Sequence, residues 1–395
     1  MAGGVLGWGT SVLATTAGAA IGVAADRLWT DRQAAVRLGR EDDFHESADQ
    51  ELAVIARDGV PLHVEIDEPR GAAPTVDHDP APTVILVHGF ALTLESWVFQ
   101  RRALREAGYR VVLLDLRGHG RSEEGEPESY TVGQLGRDLA EVIEQVVPTG
   151  PLVLIGHSMG GMTLMSFAGQ FPKVIRDRVI GVGFVSTSPG DMHDVHFGLG
   201  HPIGAVLHRV GPGAVGRLAG REAVLAVLLK AGRDVESLMV HHFSFGSHVP
   251  MSVVRFTGQM VFGTKISVLS AFLGDLSKHD QHLSLAAFDG IETLVLVGSD
   301  DKITPARHSE SIVAAIPGAE HVVVDDAGHM LLVEYPDLVN DQLLDLLARA
   351  RRAINRPRRR TRVRKTVTDM SAKRRTTVAV RSRRRGKATS AKPSR

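Results

Sequence analysis

A doubly wound, mostly parallel α/β sheet with an inserted helical cap is the fold predicted by this sequence of 395 residues. From about residue 51, short β-branched runs alternate with helical stretches, the pattern of a parallel sheet covered on both faces. The central runs are apolar at nearly every position, as strands buried on two sides must be. A stretch of about 190–285 contains no clear strand, which reads as an insertion over the carboxyl ends of the strands, where such sheets place their sites.

Residues 1–25 carry no charged side chain and are long enough to cross a bilayer, which takes about 20 residues. Their Gly, Ala and Thr content makes the transfer energy per residue small. A membrane-anchoring helix is the first reading, a helix packed on the protein or a partner the second. An export signal comes last, because no Lys or Arg precedes the apolar run. Arg27, Arg32, Arg37 and Arg40 then put the following domain on the cytoplasmic side. Residues 1–50 are accordingly an apolar helix plus linker, and the folded domain runs from 51 to 349.

ELAVIAR and PLHVEIDE flank Asp58-Gly59 as a hairpin, Gly supplying the positive φ of a tight turn. The runs 83–89, 110–116, 151–157 and 179–186 are the central strands, and 293–298 and 321–326 follow the gap. Thr131 and Gln134 stand at capping-box spacing before LGRDLAEVIEQVV. In the cap, AVLAVLLKAG has helical patterning, and Met239, Phe243, Phe245, Met251, Phe256, Met260 and Phe262 read as core, some of them lining an apolar pocket. LVNDQLLDLLARARR closes the domain, and 350–395 reads as a basic, disordered tail.

Apolar residues make up 43% and charged residues 23%, which argues against wholesale disorder and against a multi-spanning membrane protein. The absence of cysteine excludes disulfides, thiolate metal sites and cysteine nucleophiles. Residues 349–395 hold 20 Lys and Arg against the single acid Asp369, a balance of +19 that leaves −18 on the rest of a chain whose total is +1. An acidic body with a basic appendage implies attraction of the tail to an anionic partner. A membrane surface ranks ahead of nucleic acid, since no aromatic residue in 357–395 offers a stacking platform.

The chemistry centres on Gly156-His157-Ser158-Met159-Gly160, directly after the strand PLVLI and before the helical run MTLMSFAGQF. In that setting Ser158 sits on a strained strand-to-helix turn, and Gly156 and Gly160 avoid collisions a Cβ would make. A serine hydroxyl needs a base and a group to hold that base. His329, in Ala327-Gly328-His329-Met330, and Asp301, 28 residues before it, each follow a separate strand. Asp301 is preferred because it stands four residues before Pro305, with its neighbour Asp300 as the alternative. The backbone N–H groups of Met159 and Phe90 are the candidate oxyanion donors, Gly89 permits the close approach, and His88 is a structural support. His193 and His196 with Asp191 and Asp194, and likewise His241 and His242, lack metal-ligand spacing and read as polar cap surface; no metal or cofactor is expected. Asp115 reads as fixing its own turn.

HGF (88–90), DLRGHGRS (115–122), GHSMGG (156–161), GSDDKITP (298–305) and AGHM (327–330) together resemble the α/β-hydrolase superfamily, over about residues 51–349. Within it the resemblance is to the serine esterase, monoacylglycerol-lipase-like and haloperoxidase-like branch. It implies a carboxylic ester hydrolase, esterase or lipase in type, acting on lipid-like or other apolar acyl esters through an acyl-enzyme; the two terminal extensions, which are not part of the family pattern, are what point to the cytoplasmic face of a membrane. Epoxide hydrolases and haloalkane dehalogenases look similar but need Asp where this chain has Ser158, because only a carboxylate forms their alkyl-ester intermediate. The rival reading is a non-catalytic protein of this fold, tethered to membrane or nucleic acid by the tail.

Overall fold

The computed structural model describes residues 44–71, 81–192, 233–353 and 364–368. Among the described residues nine strands form one sheet: β1 (Gln50–Ile55), β2 (Pro61–Asp67), β3 (Thr83–Val87), β4 (Val111–Leu114), β5 (Leu152–His157), β6 (Val179–Val185), β7 (Glu292–Gly298), β8 (Glu320–Val324) and β9 (Arg364–Thr368). Their spatial order is β1-β2-β4-β3-β5-β6-β7-β8-β9. β2 pairs antiparallel with β1 and with β4, and every other neighbour is parallel. The fold class is therefore the expected one.

The helices are α1 (Val98–Glu106), α2 (Val132–Val146), α3 (Met159–Gln170), α4 (Pro172–Arg178), α5 (Arg233–Ser244), α6 (Met251–Gly263), α7 (Ile266–Leu276), α8 (Ala306–Ala315), α9 (Leu331–Glu334) and α10 (Pro336–Ala353). Strand side chains alternate between two apolar layers, following the period of two that a pleated strand imposes. Ile85, Val87, Val112, Leu114, Leu152 and Leu154 join Leu135, Leu139, Met162 and Phe167 of α2 and α3 on one face. Val84, Leu86, Val111, Leu113, Val153 and Ile155 join Leu104 of α1 and Leu343, Leu346 and Leu347 of α10 on the other. Each fully buried aliphatic side chain of this kind contributes about 1.5–3 kcal/mol.

The hairpin forms as expected, with Gly59 at φ +89° and Ala56 donating to the Val60 carbonyl at 2.9 Å. The capping box is half-built. Thr131 Oγ1 accepts the Gln134 N–H at 3.0 Å, but the Gln134 side chain donates forward to Asp138 at 2.9 Å, because that buried carboxylate needs donors more than the solvated helix end does.

Both ends of the domain extend beyond the expected bounds. Residues 44–49, assigned to a linker, are tied down by Arg105, whose 1%-exposed side chain requires Asp49 (2.7 Å) and Glu46 (3.2 Å) as partners. The tail expected to be disordered from 350 continues α10 to Ala353 and supplies β9, where Arg364–Thr368 pair in parallel with Glu320–Val324. The physical reason is the free edge of β8, which a short segment containing Thr366, Val367 and Thr368 can satisfy. The apolar run 1–25 and the rest of the tail lie outside the described residues, as do AVLAVLLKAG and His193, Asp194 and His196. Among the described residues no helix is long and apolar enough to cross a membrane.

Between β6 and β7 the described chain contains α5, α6, α7 and a 3-10 turn (Leu283–Phe288), with no strand, as expected for a cap. The aromatic and methionine side chains there divide. Phe245, Phe256 and Met260 are buried in the α10-side layer, while Met239, Met251 and Phe262 are exposed.

Candidate active site

Ser158 stands between the last residue of β5 and the first of α3, at φ 51° and ψ −119°. This left-handed backbone is unfavourable for a residue with a Cβ, and the surroundings hold it in place. Its N–H donates to Val185 O (3.0 Å), and its carbonyl accepts from Gly161 N (2.9 Å), Met162 N (3.2 Å) and Thr187 Oγ1 (2.6 Å). The flanking glycines are sterically required: a Cβ on Gly160 would lie 2.1 Å from Val87 O, and one on Gly156 2.5 Å from the Gly160 carbonyl carbon. The turn is thus wedged between β3, β6 and its own helix.

His329 and Asp301 meet from the loops after β8 and β7. The imidazole Nδ1–H donates to Asp301 at 2.9 Å (Oδ2) and 3.1 Å (Oδ1), which leaves Nε2 unprotonated on the other side of the ring. Asp301 is 4% exposed and accepts further from Ile303 N (2.9 Å), Thr304 N (2.8 Å) and Thr304 Oγ1 (2.9 Å). Burial alone would raise its carboxyl, but His329 and the Thr304 donors outweigh burial and hold it below the usual carboxylate range. Asp300 is exposed, with its N–H on Ala327 O at 2.9 Å, so of the two candidates Asp301 is the one brought to the histidine.

The serine turn and the histidine loop are joined through the residue between them. His157 Nε2–H donates to the His329 carbonyl at 3.0 Å, and the two rings lie 4.9 Å apart. Among the described residues no hydrogen bond links the Ser158 hydroxyl itself to His329.

The two expected oxyanion donors are available. Neither Phe90 N–H nor Met159 N–H has an acceptor among the described residues, and Met159 opens α3, whose N-terminus favours developing negative charge. Gly89 brings the loop in closely, since a Cβ there would sit 3.0 Å from Ser158 Cβ. His88 supports this loop as expected: Nδ1–H donates to Gly89 O (2.7 Å) and Nε2 accepts Leu116 N–H (2.9 Å). Asp115 accepts Leu94 N (2.8 Å) and Arg121 N (2.9 Å), fixing two turns.

Sequence reasoning missed a set of buried neutral histidines. His119 accepts Ala91 N–H on Nε2 (3.2 Å) and donates from Nδ1 to Arg117 O (3.1 Å). Burial pushes its imidazole down to about 4 and that of His157, with His329 adding, to about 3. DLRGHGRS and GHSMGG held the signal, a His inside an otherwise apolar or Gly-rich turn. Glu51, His63 and Glu65 were also missed; their ligand atoms lie within 4.8 Å of one another. Arg121 already bridges both glutamates and Arg101 holds Glu65 at 2.7 Å, so the cluster is charge-compensated. It borders a cavity of about 320 Å3 lined by Phe44, Glu46, Glu95 and Arg101, and none of Ser158, Asp301 and His329 lines that cavity.

A model of the alpha/beta hydrolase family matches residues 84–342. The chain is 29% identical over 270 residues to the dihydrolipoyllysine-residue acetyltransferase component of the acetoin cleaving system of Pseudomonas putida, covering 67% of this chain and 63% of that protein. It is 26% identical over 269 residues to the sn-1-specific diacylglycerol lipase ABHD11 of Mus musculus, covering 68% of this chain and 81% of the relative. Among solved structures, an esterase from Thermogutta terrifontis superposes with a TM-score of 0.59 at 24% identity, covering 76% of this chain and 99% of that one.

Proposed function

Because the chain belongs to the alpha/beta hydrolase family, we propose that it is a serine hydrolase cleaving carboxylic esters with apolar acyl groups. The observation that carries this reading is the Asp301–His329 pair, anchored through His157 beside a serine whose backbone is held at φ 51°. In the reaction His329 Nε2 takes the Ser158 proton as the oxygen attacks the ester carbonyl. The Phe90 and Met159 amides hold the oxyanion. His329 then protonates the leaving alcohol, and water releases the acid from Ser158 by the same steps in reverse. Asp301 fixes the tautomer and stabilises the imidazolium. These steps use only groups of the chain itself.

The test is covalent labelling by a fluorophosphonate probe. Labelling of the wild type and its loss in Ser158→Ala is the expected result. An unlabelled wild type, or a Ser158→Ala variant labelled equally, would favour the non-catalytic rival. A nitrophenyl ester series is expected to turn over better at medium or long chain length than at acetate.

A lipid-like ester and an anionic membrane surface are the partners this reading assigns, with the cytoplasmic face of a membrane as the location; nucleic acid is the lesser alternative. Support comes from the cap. Residues 237–274 contain no Asp or Glu in a body whose charge is −18. Leu238, Met239, Met251 and Phe262 are exposed there. Phe44, where the described chain begins, stacks on Phe256 of α6 at 4.5 Å. Residues 370–395 hold ten Lys and Arg, each worth about 1 kcal/mol near an anionic bilayer. Deleting 369–395, which spares β9, should weaken flotation with vesicles of phosphatidylcholine and phosphatidylglycerol and flatten its salt dependence. Unchanged flotation would count against the tail.

A further inference from the structure

Glu334 is a buried carboxylate with a task that neither the fold nor the proton relay explains. It closes α9, five residues after His329, and is 7% exposed. Among the described residues it has no ion-pair partner, and every bond it makes is to a backbone N–H or a hydroxyl near two loops. Oε2 accepts Gly328 N–H, the residue before His329, at 2.7 Å. Oε1 accepts Ser247 N–H at 2.6 Å and Gly246 N–H at 3.1 Å, both in the segment that joins α5 to α6 in the cap.

The two loops touch backbone to backbone. A Cβ on Gly246 would lie 2.7 Å from the Ala327 carbonyl carbon, and one on Gly328 2.6 Å from Gly246 N. Met330 N–H donates to Ser244 O at 2.8 Å, so the cap segment grips the histidine loop on both sides of His329. The same loop reaches Asp301, since a Cβ on Gly298 would meet Ala327 O at 2.1 Å. A buried charge without a counter-ion costs several kcal/mol unless N–H donors surround it, and here the donors come from two segments about 80 residues apart in sequence. Neither segment can leave without exposing the carboxylate to the loss of its partners.

We propose that Glu334 is a positioning residue that locks the cap segment Ser244–Ser247 to the loop carrying His329, so that displacement of the cap moves the imidazole out of line with Ser158. Cap position thereby gates the reactivity of the serine. The proposal rests on the reading of Ser158 and His329 given above. It distinguishes Glu334 from an ordinary structural acid, whose loss would lower the folded fraction without changing the rate of each folded molecule.

The experiment compares the full chain with Glu334→Gln, which keeps the shape but turns one acceptor into a donor, and with Glu334→Asp, which keeps the charge but is too short to reach both loops. Two readouts are taken: amide hydrogen exchange, and the fluorophosphonate labelling rate per labelled site with the kcat–KM split on a nitrophenyl ester. In both variants Gly246–Ser247 and Gly328–Met330 should lose protection together. The labelling rate and kcat should fall about tenfold with KM within about twofold, as expected for a misplaced base. Loss of protection in one segment alone, or an unchanged rate per site, overturns the proposal. A wild type that does not label at all defeats the hydrolase reading instead, and the exchange arm still decides whether Glu334 couples the two loops. Should Glu334→Gln fold poorly, the aspartate variant decides the same question.

Discussion

Asp300 and Asp301 are adjacent in the chain and opposite in environment. Asp301 is buried, is held by Thr304 and faces His329 at 2.9 Å, whereas Asp300 is exposed and contributes its backbone N–H to Ala327. Only a carboxylate bonded to Nδ1–H forces the tautomer in which Nε2 is the base. Asp301→Asn should therefore lower kcat by about 10^4-fold, because the amide can present a donor to Nδ1 and trap the wrong tautomer. Asp300→Asn should leave kcat within about twofold, as a surface change away from the reacting groups. Steady-state kinetics on one nitrophenyl ester checks both, and equal losses in the two variants would mean that the acid has been misassigned. Spacing from Pro305 singled out the carboxylate that the fold brings to His329 and yet could not explain the choice: burial and the Thr304 donors are properties of the folded loop.

At the scale of elements, what depended on local pattern was legible and what depended on distant convergence was not. The apolar runs located all six parallel strands that build the core to within about two residues at each end, because burial on both faces leaves only hydrophobic side chains. Thr131 was found by its spacing, but the Gln134 side chain was not, since Asp138 drew it away. Arg101, Arg105 and Arg117 stand in no motif that marks them as buried, and each is at most 2% exposed. Arg117 holds Asp138 of α2 through two bonds of 2.6 Å and Asp58 of the β1–β2 turn at 2.7 Å, so one side chain pins three elements. Removing it would leave Asp138, itself 1% exposed, as an uncompensated buried charge. Arg117→Ala should cost about 3–5 kcal/mol, read from the midpoint of urea unfolding at neutral pH. A loss below about 1 kcal/mol would show that water replaces the guanidinium, and the junction would then be less closed than its exposures indicate.

The molecule as a whole carries its most testable property in its protons. His157 is pushed down to about 3, and His119 and His279 to about 4, in each case first by burial. An imidazole whose pKa is lower in the fold than in the unfolded chain takes up its proton on unfolding. Its contribution is fully present above about 6.5 and is lost as the pH falls toward the folded value. Asp115 works in the other direction, because burial raises it to about 6 and a carboxyl protonated in the fold stabilises as the pH drops below that value. Three histidines outweigh one aspartate. Between pH 7 and pH 5 each of these three imidazoles gives up about 2 kcal/mol and Asp115 returns about 1, so these four groups together favour unfolding in mild acid, and His88, also held low by burial, acts in the same direction. The Asp301 carboxyl, held low, adds its own loss only in stronger acid, once the pH approaches the carboxylate range. Urea unfolding at pH 7, 6 and 5 should show the midpoint falling steadily while the slope m stays constant. A flat or rising stability over that interval would mean that these imidazoles accept protons without unfolding. The hydrogen bonds from His157 to the His329 carbonyl and from Ala91 to His119 could not then be the ones that set the loops around Ser158.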